Sequence, residues 1–298
     1  MSTGTKFENG TSRRFIAVDW QDCAWQPRIE VRRPSPSLGF YFPRRNFLFP
    51  KTMKTTLPHS RRYRIGFTLV ELLTVIAIIG ILAALLLPVL AAAKRSALKA
   101  KALTEIQGLA TAIQGYDSTY GRFPVSAAAQ AAASPDFTCG GTFQTPTGTW
   151  PSAPLPSNYA FSNSDVIAIL MDLTNFPGTT TPTINTNYQK NPQQTVFLTP
   201  RMSGDTSSPG VGTDLVYRDP WGNPYVITMD LNYDDMCEDA FYEQPVISNN
   251  NLSSLIKAPD GNYAYRGKVM VWSAGPDGQI DKNSGTGTAN KDNILSWQ

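Results

Sequence analysis

The stretch that most restricts this chain is Phe67–Ala93, FTLVELLTVIAIIGILAALLLPVLAAA, which is long and apolar enough to cross a bilayer. One residue breaks the pattern. Glu71 sits five residues in, where an ionised carboxylate is costly to insert, so its presence needs a physical reason. A secretory signal peptide would account for Ala91–Ala93, but its apolar core spans about 7 to 15 residues and does not open on a glutamate. A plain signal anchor fits the length and leaves Glu71 unexplained. Flanking charge does not orient it either, since Arg61, Arg62 and Arg64 on one side are matched by Lys94, Arg95, Lys99 and Lys101 on the other. A buried core helix is disfavoured by so long and uniform a run.

Charge divides the chain at the same place. Met1–Gly66 hold 13 Lys and Arg against 4 Asp and Glu, whereas Phe67–Gln298 hold 13 against 19. The overall charge of +3 therefore hides an acidic remainder of −6, which removes the electrostatic basis for binding nucleic acid. The single histidine, His59, precedes the apolar run, so the remainder has no Ser-His or Cys-His nucleophile and no His-ligated zinc. No carboxylate pair shows acid–base spacing, and the expectation is a protein that is not an enzyme. With Cys23 in the leading segment, Cys139 and Cys237 remain as an even pair: one disulfide in an oxidising compartment, or two separate buried thiols.

Residues 1–52 are basic, rich in Pro and Arg and without a sustained period, and Met53 opens a compact basic stretch, MKTTLPHSRRYRIG. We read 1–66 as a leader, with 1–52 either an over-extended start, Met53 being the true one, or a disordered segment. From Phe67 the pattern is helical to about Tyr120, first apolar all round and then amphipathic, with Ile106, Leu109, Ile113, Tyr116 and Tyr120 on one face. Pro88 is expected to bend or unwind this helix, with Gly80 a second weak point, and YGRFP to stop it. Residues 126–215 read as long loops carrying one short capped amphipathic helix, Ser164–Leu173. Asn223–Leu231 and Gly267–Gly275 are β-branched and aromatic, which predicts a small antiparallel sheet. The fold class is therefore α+β: a long N-terminal helix, with 67–93 in the membrane or filament core, packed through its second half on a domain spanning 94–298.

GFTLVELLTVIAIIGILAALLLPVL, covering Gly66, Phe67, Glu71 and Pro88, resembles the N-terminal signature of type IV pilins and type II secretion pseudopilins. The resemblance implies that prepilin peptidase cuts after Gly66, that Phe67 becomes the N-methylated N-terminus, and that the chain polymerises with like subunits on an assembly platform in the inner membrane. YGRFP, DPWGNPY (219–225), WSAGPDG (272–278) and NILSW are similar to the globular part of the major pseudopilin. In that setting Glu71 would serve as a registry device, its carboxylate paired with a neighbour's terminal ammonium. The globular part would lie on the periplasmic or extracellular side.

A contrasting reading is a membrane-anchored binding module or carbohydrate-active protein, with Trp150, Trp221, Trp272 and Trp297 as aromatic platforms. The polar terminal loop offers Asp277, Asp281 and Asp292, with carbonyls on glycine-rich chain, as hard-oxygen ligands of the kind calcium accepts. The resemblance implies calcium here, with Asn293 standing where that family has an acidic residue. The plainer alternative is a solvated PDG turn.

Overall fold

The computed structural model describes residues 66–152, 156–248, 254–285 and 287–298. The leader up to residue 65, with Cys23, Met53, His59, Arg61, Arg62 and Arg64, lies outside the described residues. Helix α1, Leu69–Tyr120, is one run of 52 residues, unwound neither at Gly80 nor, as was expected, at Pro88. A run of Leu, Ile and Ala has the propensity to hold it. Gly121 ends it in the left-handed conformation, φ 63° and ψ 27°, with its N–H donating to the Asp117 carbonyl at 2.7 Å, as glycine at that position allows.

The rest builds around a sheet. In chain order the elements are α2 (Ala127–Ala132), β1 (Phe137–Cys139), β2 (Phe143–Thr145), β3 (Gly148–Trp150), β4 (Tyr159–Ala160), α3 (Ser164–Leu170), β5 (Gly210–Val211) and β6 (Tyr217–Arg218). There follow β7 (Val226–Met229), β8 (Met236–Cys237), α4 (Pro245–Ser248), β9 (Leu255–Lys257), β10 (Tyr263–Arg266), β11 (Val269–Ser273) and β12 (Ile294–Leu295). The main sheet has the order β12-β11-β7-β1-β4, antiparallel except for the parallel pair β1–β4. β8, β10 and β9 form a second sheet, and β2–β3 and β5–β6 are separate pairs.

Both central strands fall inside the predicted segments, but every residue of β7 and β11 is buried. The reason is that the sheet has a core on each face. Along β11, Val269 and Val271 join α1's stripe of Ile106, Leu109, Ala112, Ile113 and Tyr116, while Met270 and Trp272 join a second cluster with Trp150, Phe241, Tyr242 and Trp297. This is the period-2 alternation of a strand sandwiched between two layers. Asp239, wholly buried, ties the second layer to the sheet: its carboxylate accepts from Thr228 Oγ1 at 2.6 Å, Trp272 Nε1 at 3.0 Å and the Phe241 and Tyr242 amides at 3.0 Å.

Residues 126–215 are mostly loop and turn, as expected, and beside the expected helix α3 they also supply α2 and the sheet strands β1 and β4. Two expectations are corrected here. The helix at 164 ends at Leu170 with Val166–Leu170 all buried, and it has no side-chain cap, because the Asn163 amide is committed to Tyr217 and Tyr225 instead. Cys139 and Cys237 are free thiols rather than a disulfide. They belong to the two different clusters, Cys139 in the layer under α1 and Cys237 in the other, and burial pushes both thiols far above their ordinary range.

Ile113 is fully buried where α1 meets the sheet. Ile113→Ala is expected to lower the stability of the globular part by about 2–5 kcal/mol, through lost transfer energy and the cavity left behind. Denaturant unfolding of a 94–298 fragment measures it, and a loss below about 0.5 kcal/mol would mean that the helix does not depend on this stripe.

Candidate functional site

The N-terminal region is built by two short-range devices. Thr68 is the N-cap of α1 and forms a reciprocal capping box with Glu71. Thr68 Oγ1 accepts from the Glu71 amide at 3.2 Å, while Glu71 Oε2 accepts from the Thr68 amide at 2.9 Å and from Thr68 Oγ1 at 2.7 Å. The T-x-x-E spacing is legible in the sequence as a capping signal, and it gives Thr68 a part that the apolar run obscured. A carboxylate in the first turn also favours the positive end of the helix dipole. Gly66 and Phe67 lie just ahead, both exposed, and a Cβ added at Gly66 would meet nothing within 4 Å. No packing among the described residues requires glycine there.

From Leu69 to Leu90 the large apolar side chains are 44–80% exposed. The first residue of α1 to be buried is Ala102. The helix is long and apolar enough to cross a membrane, and its most apolar window has no residue buried. Pro88 stands in this uncovered part.

At the other end, the quoted motifs meet. The Asp219 carboxylate accepts from the Trp221 amide at 2.8 Å, the Asn223 amide at 2.9 Å and Ser273 Oγ at 2.6 Å, and Asn223 Nδ2 donates to the Gly275 carbonyl at 2.8 Å. DPWGNPY and WSAGPDG thus form one knot beneath the terminal loop. Gly275, at φ 71°, lets the loop close: its missing Cβ would stand 2.4 Å from the Asp292 carbonyl.

Two oxygens in this loop, Asp292 Oδ1 and Asn293 Oδ1, are buried with no hydrogen-bond partner. Asn293 Nδ2 donates to Tyr242 Oη at 2.8 Å. Burial, followed by the nearby Asp277 carboxylate, raises the proton affinity of Asp292. Asp277 accepts from the Gln279 amide at 2.9 Å. Asp281 belongs to a different turn, closed by Asn283 and Asn290. Among the described residues no three His, Cys, Asp or Glu side chains are grouped to hold a metal. Asp277, Asp292 and Asn293 fit a hard cation in kind, through orphaned oxygen donors, and Asp281 is not grouped with them.

A second acidic region emerges at DDMCED. Asp136 accepts from the Leu231 amide at 2.9 Å and the Glu238 amide at 2.7 Å, yet burial outweighs these bonds and raises its pKa to about 7. Burial, then the charges of Asp239, Glu238 and Asp260, raises Glu243 to about 8. Both groups bind protons more tightly folded than unfolded. Their contribution is therefore complete below the ordinary carboxylate range, near pH 4, and is lost as pH rises through 7–8. The 94–298 fragment is expected to melt at lower temperature at pH 9 than at pH 6, and Glu243→Gln to flatten that slope. A melting temperature that rises across this interval would contradict the burial of these groups.

Of the four tryptophans read as aromatic platforms, Trp150, Trp272 and Trp297 are buried in the second cluster, and Trp221 is half-buried. Residues 61–87 match a family described as the prokaryotic N-terminal methylation motif. No curated protein and no solved structure matches the chain. The chain therefore carries a prepilin-type N-terminal methylation motif, and among the described residues one helix is long and apolar enough to cross a membrane.

Proposed function

We propose that this chain is a structural subunit of a pilin-like filament, cut by prepilin peptidase between Gly66 and Phe67, methylated on Phe67, and stored as a single-pass inner-membrane protein before it polymerises. The observation that carries this reading is α1, whose residues 69–101 include no buried position while 102–116 are locked to the sheet. An apolar surface that long needs another solvent: lipid before assembly, neighbouring helices after it. Among filaments, the knot between DPWGNPY and WSAGPDG favours a type II secretion pseudopilus, whose major subunit these motifs resemble. The anchored binding module is the weaker alternative, because three of its four tryptophans are enclosed.

Glu71 has two separable parts in this reading. Its hydrogen bonds cap the helix, and its charge pairs with the ammonium of a neighbour's Phe67 in the low-dielectric helix bundle, where an unpaired charge would penalise wrong register. Glutamine preserves a capping box and removes the charge. The mature protein is expected to begin at Phe67 by mass, and Glu71→Gln to insert and be cleaved while losing filaments by at least tenfold. Normal filaments from Glu71→Gln would leave the residue as a cap alone, and an intact leader would overturn processing.

We further propose that calcium orders the terminal loop, held by Asp277, Asp292 and Asn293 through carboxylate and amide oxygens, which the two orphaned oxygens support. Calcium at 100 times its Kd would stabilise the domain by about 2.7 kcal/mol. Melting of the 94–298 fragment should rise with calcium and fall with a chelator, and Asp292→Asn should remove most of the difference. Equal melting with and without calcium, in a folded fragment, would return the loop to a plain turn.

A further inference from the structure

We propose that subunits stack head to tail through an ionic contact between the basic turn Lys94–Arg95 of one copy and the acidic turn Asp234–Asp235 of the next. The proposal rests on the filament reading above and specifies which surfaces meet. The two turns lie at opposite ends of the globular part. At the lower end, Tyr225 Oη donates to Glu105 Oε2 at 2.7 Å, and Lys99 lies within the field of Asp292, so the terminal loop borders the point where α1 leaves the domain. At the upper end, Lys268 pairs with Asp117 at 3.0 Å, the Asp230 amide donates to the Lys268 carbonyl at 3.0 Å, and the Gly267 amide donates to the Asp235 carbonyl at 3.1 Å. The acidic turn is thereby fixed beside the last turns of α1.

Among the described residues neither turn forms an ion pair of its own, although Asp235 lies within the field of Lys268. Lys94, Arg95, Asp234 and Asp235 are all exposed, and the ion pairs among the described residues are Lys101–Glu105, Arg218–Asp214 and Lys268–Asp117. Asp234 and Asp235, with Met236, Arg266 and Gly267, line an open cleft of about 530 Å³, roomy enough for an incoming Lys or Arg side chain. Arg266 shares this cleft, but the acidic side is reinforced by Asp230 behind the turn and by Asp260 near Glu238.

Direction and distance follow from the helix. Arg95 precedes Ala102 by seven residues, two turns, so it lies on the same side of α1 as the stripe that carries the domain, just below the domain's lower edge. From Arg95 to Asp117 is 22 residues, or about 33 Å along the axis. The two turns cannot meet within one copy. A second copy displaced along the axis by about that distance, and sideways by at least a helix diameter of about 10 Å, brings its acidic turn to the level of the basic turn of the first. The contact is heterologous, uses different patches on the two partners, and leaves one patch free at each end, so it propagates as an open polymer rather than closing. Being exposed, it should weaken as salt shortens the screening length.

The test is charge exchange in the full-length chain, with filament yield from membranes at low and at physiological salt as the readout. Arg95→Glu with Lys94→Glu, and separately Asp235→Lys, should each cut filament yield about tenfold or more, and the combined variant should recover most of it. Asp235 is chosen because Asp234 also holds its own turn through the Asn232 side chain and the Met236 amide. Arg95→Cys together with Asp235→Cys should give a ladder of oxidised oligomers that neither single variant gives. If wild-type chain forms no filaments, the filament reading fails and this contact with it. Wild-type filaments with no rescue and no ladder would overturn the contact alone. Loss on reversing Lys94 and Arg95 without any effect at Asp235 would overturn it in favour of lipid headgroups as the partner of the basic turn.

Discussion

One helix meets two environments, and the rest of the architecture is arranged around that division. From Ala102 to Tyr116, α1 buries a stripe against β11 and β12, and before Ala102 the helix has no buried residue. The switch is abrupt because the sequence changes from apolar all round to apolar on one face, with four basic residues between 94 and 101 marking the boundary. Among the described residues nothing covers the apolar part. In the proposed reading lipid or other helices complete it, and either places the domain beside a surface.

That constraint also explains the depth of the small domain. A domain that holds one end of a long lever needs a rigid seat, and a sheet covered on a single face would leave Trp272 and Met270 exposed. The second layer, carried by residues 236–248, covers them and is fixed by the Asp239 carboxylate, which satisfies four donors at once. A buried carboxylate so fully hydrogen-bonded specifies geometry more than it adds stability. Burial first, and neighbouring carboxylates second, raise the proton affinities of Asp136 and Glu243 at the edge of this layer.

What the residues revealed and what they concealed divides along sequence distance. The helix, its Gly121 stop and strands β7 and β11 follow from composition and local period, which act within a few residues. The T-x-x-E cap was equally local and stood in plain view behind a question about membrane depth. Strands β1 and β4, of three and two residues among Ser, Pro and Asn, carry no period long enough to detect; pairing with β7 makes them strands. The cysteine pair failed as a disulfide for a related reason: spacing cannot say which face of a sheet a side chain occupies, and a shift of one residue reverses it. Likewise Asp277 and Asp292 are drawn together by Gly275 and Asn223, while Asp281, closer to Asp277 in sequence, is committed to Asn283 and Asn290.

In the proposed reading, Glu71 serves both environments with one side chain. In a chain waiting in the membrane, its carboxylate already has partners in Thr68, so it enters the apolar phase hydrogen-bonded rather than bare, and the helix end it caps is satisfied at the same time. Those bonds use one oxygen, Oε2. The other remains open to a donor from outside the chain, and a neighbour's terminal ammonium is a donor of the right charge in a medium where charge is poorly screened. Local capping and intersubunit pairing are therefore not competitors for the same lone pairs. In the proposed reading, a residue that looked misplaced in an apolar run is tolerated in the monomer because it caps, and could pair in the polymer because capping leaves one oxygen free.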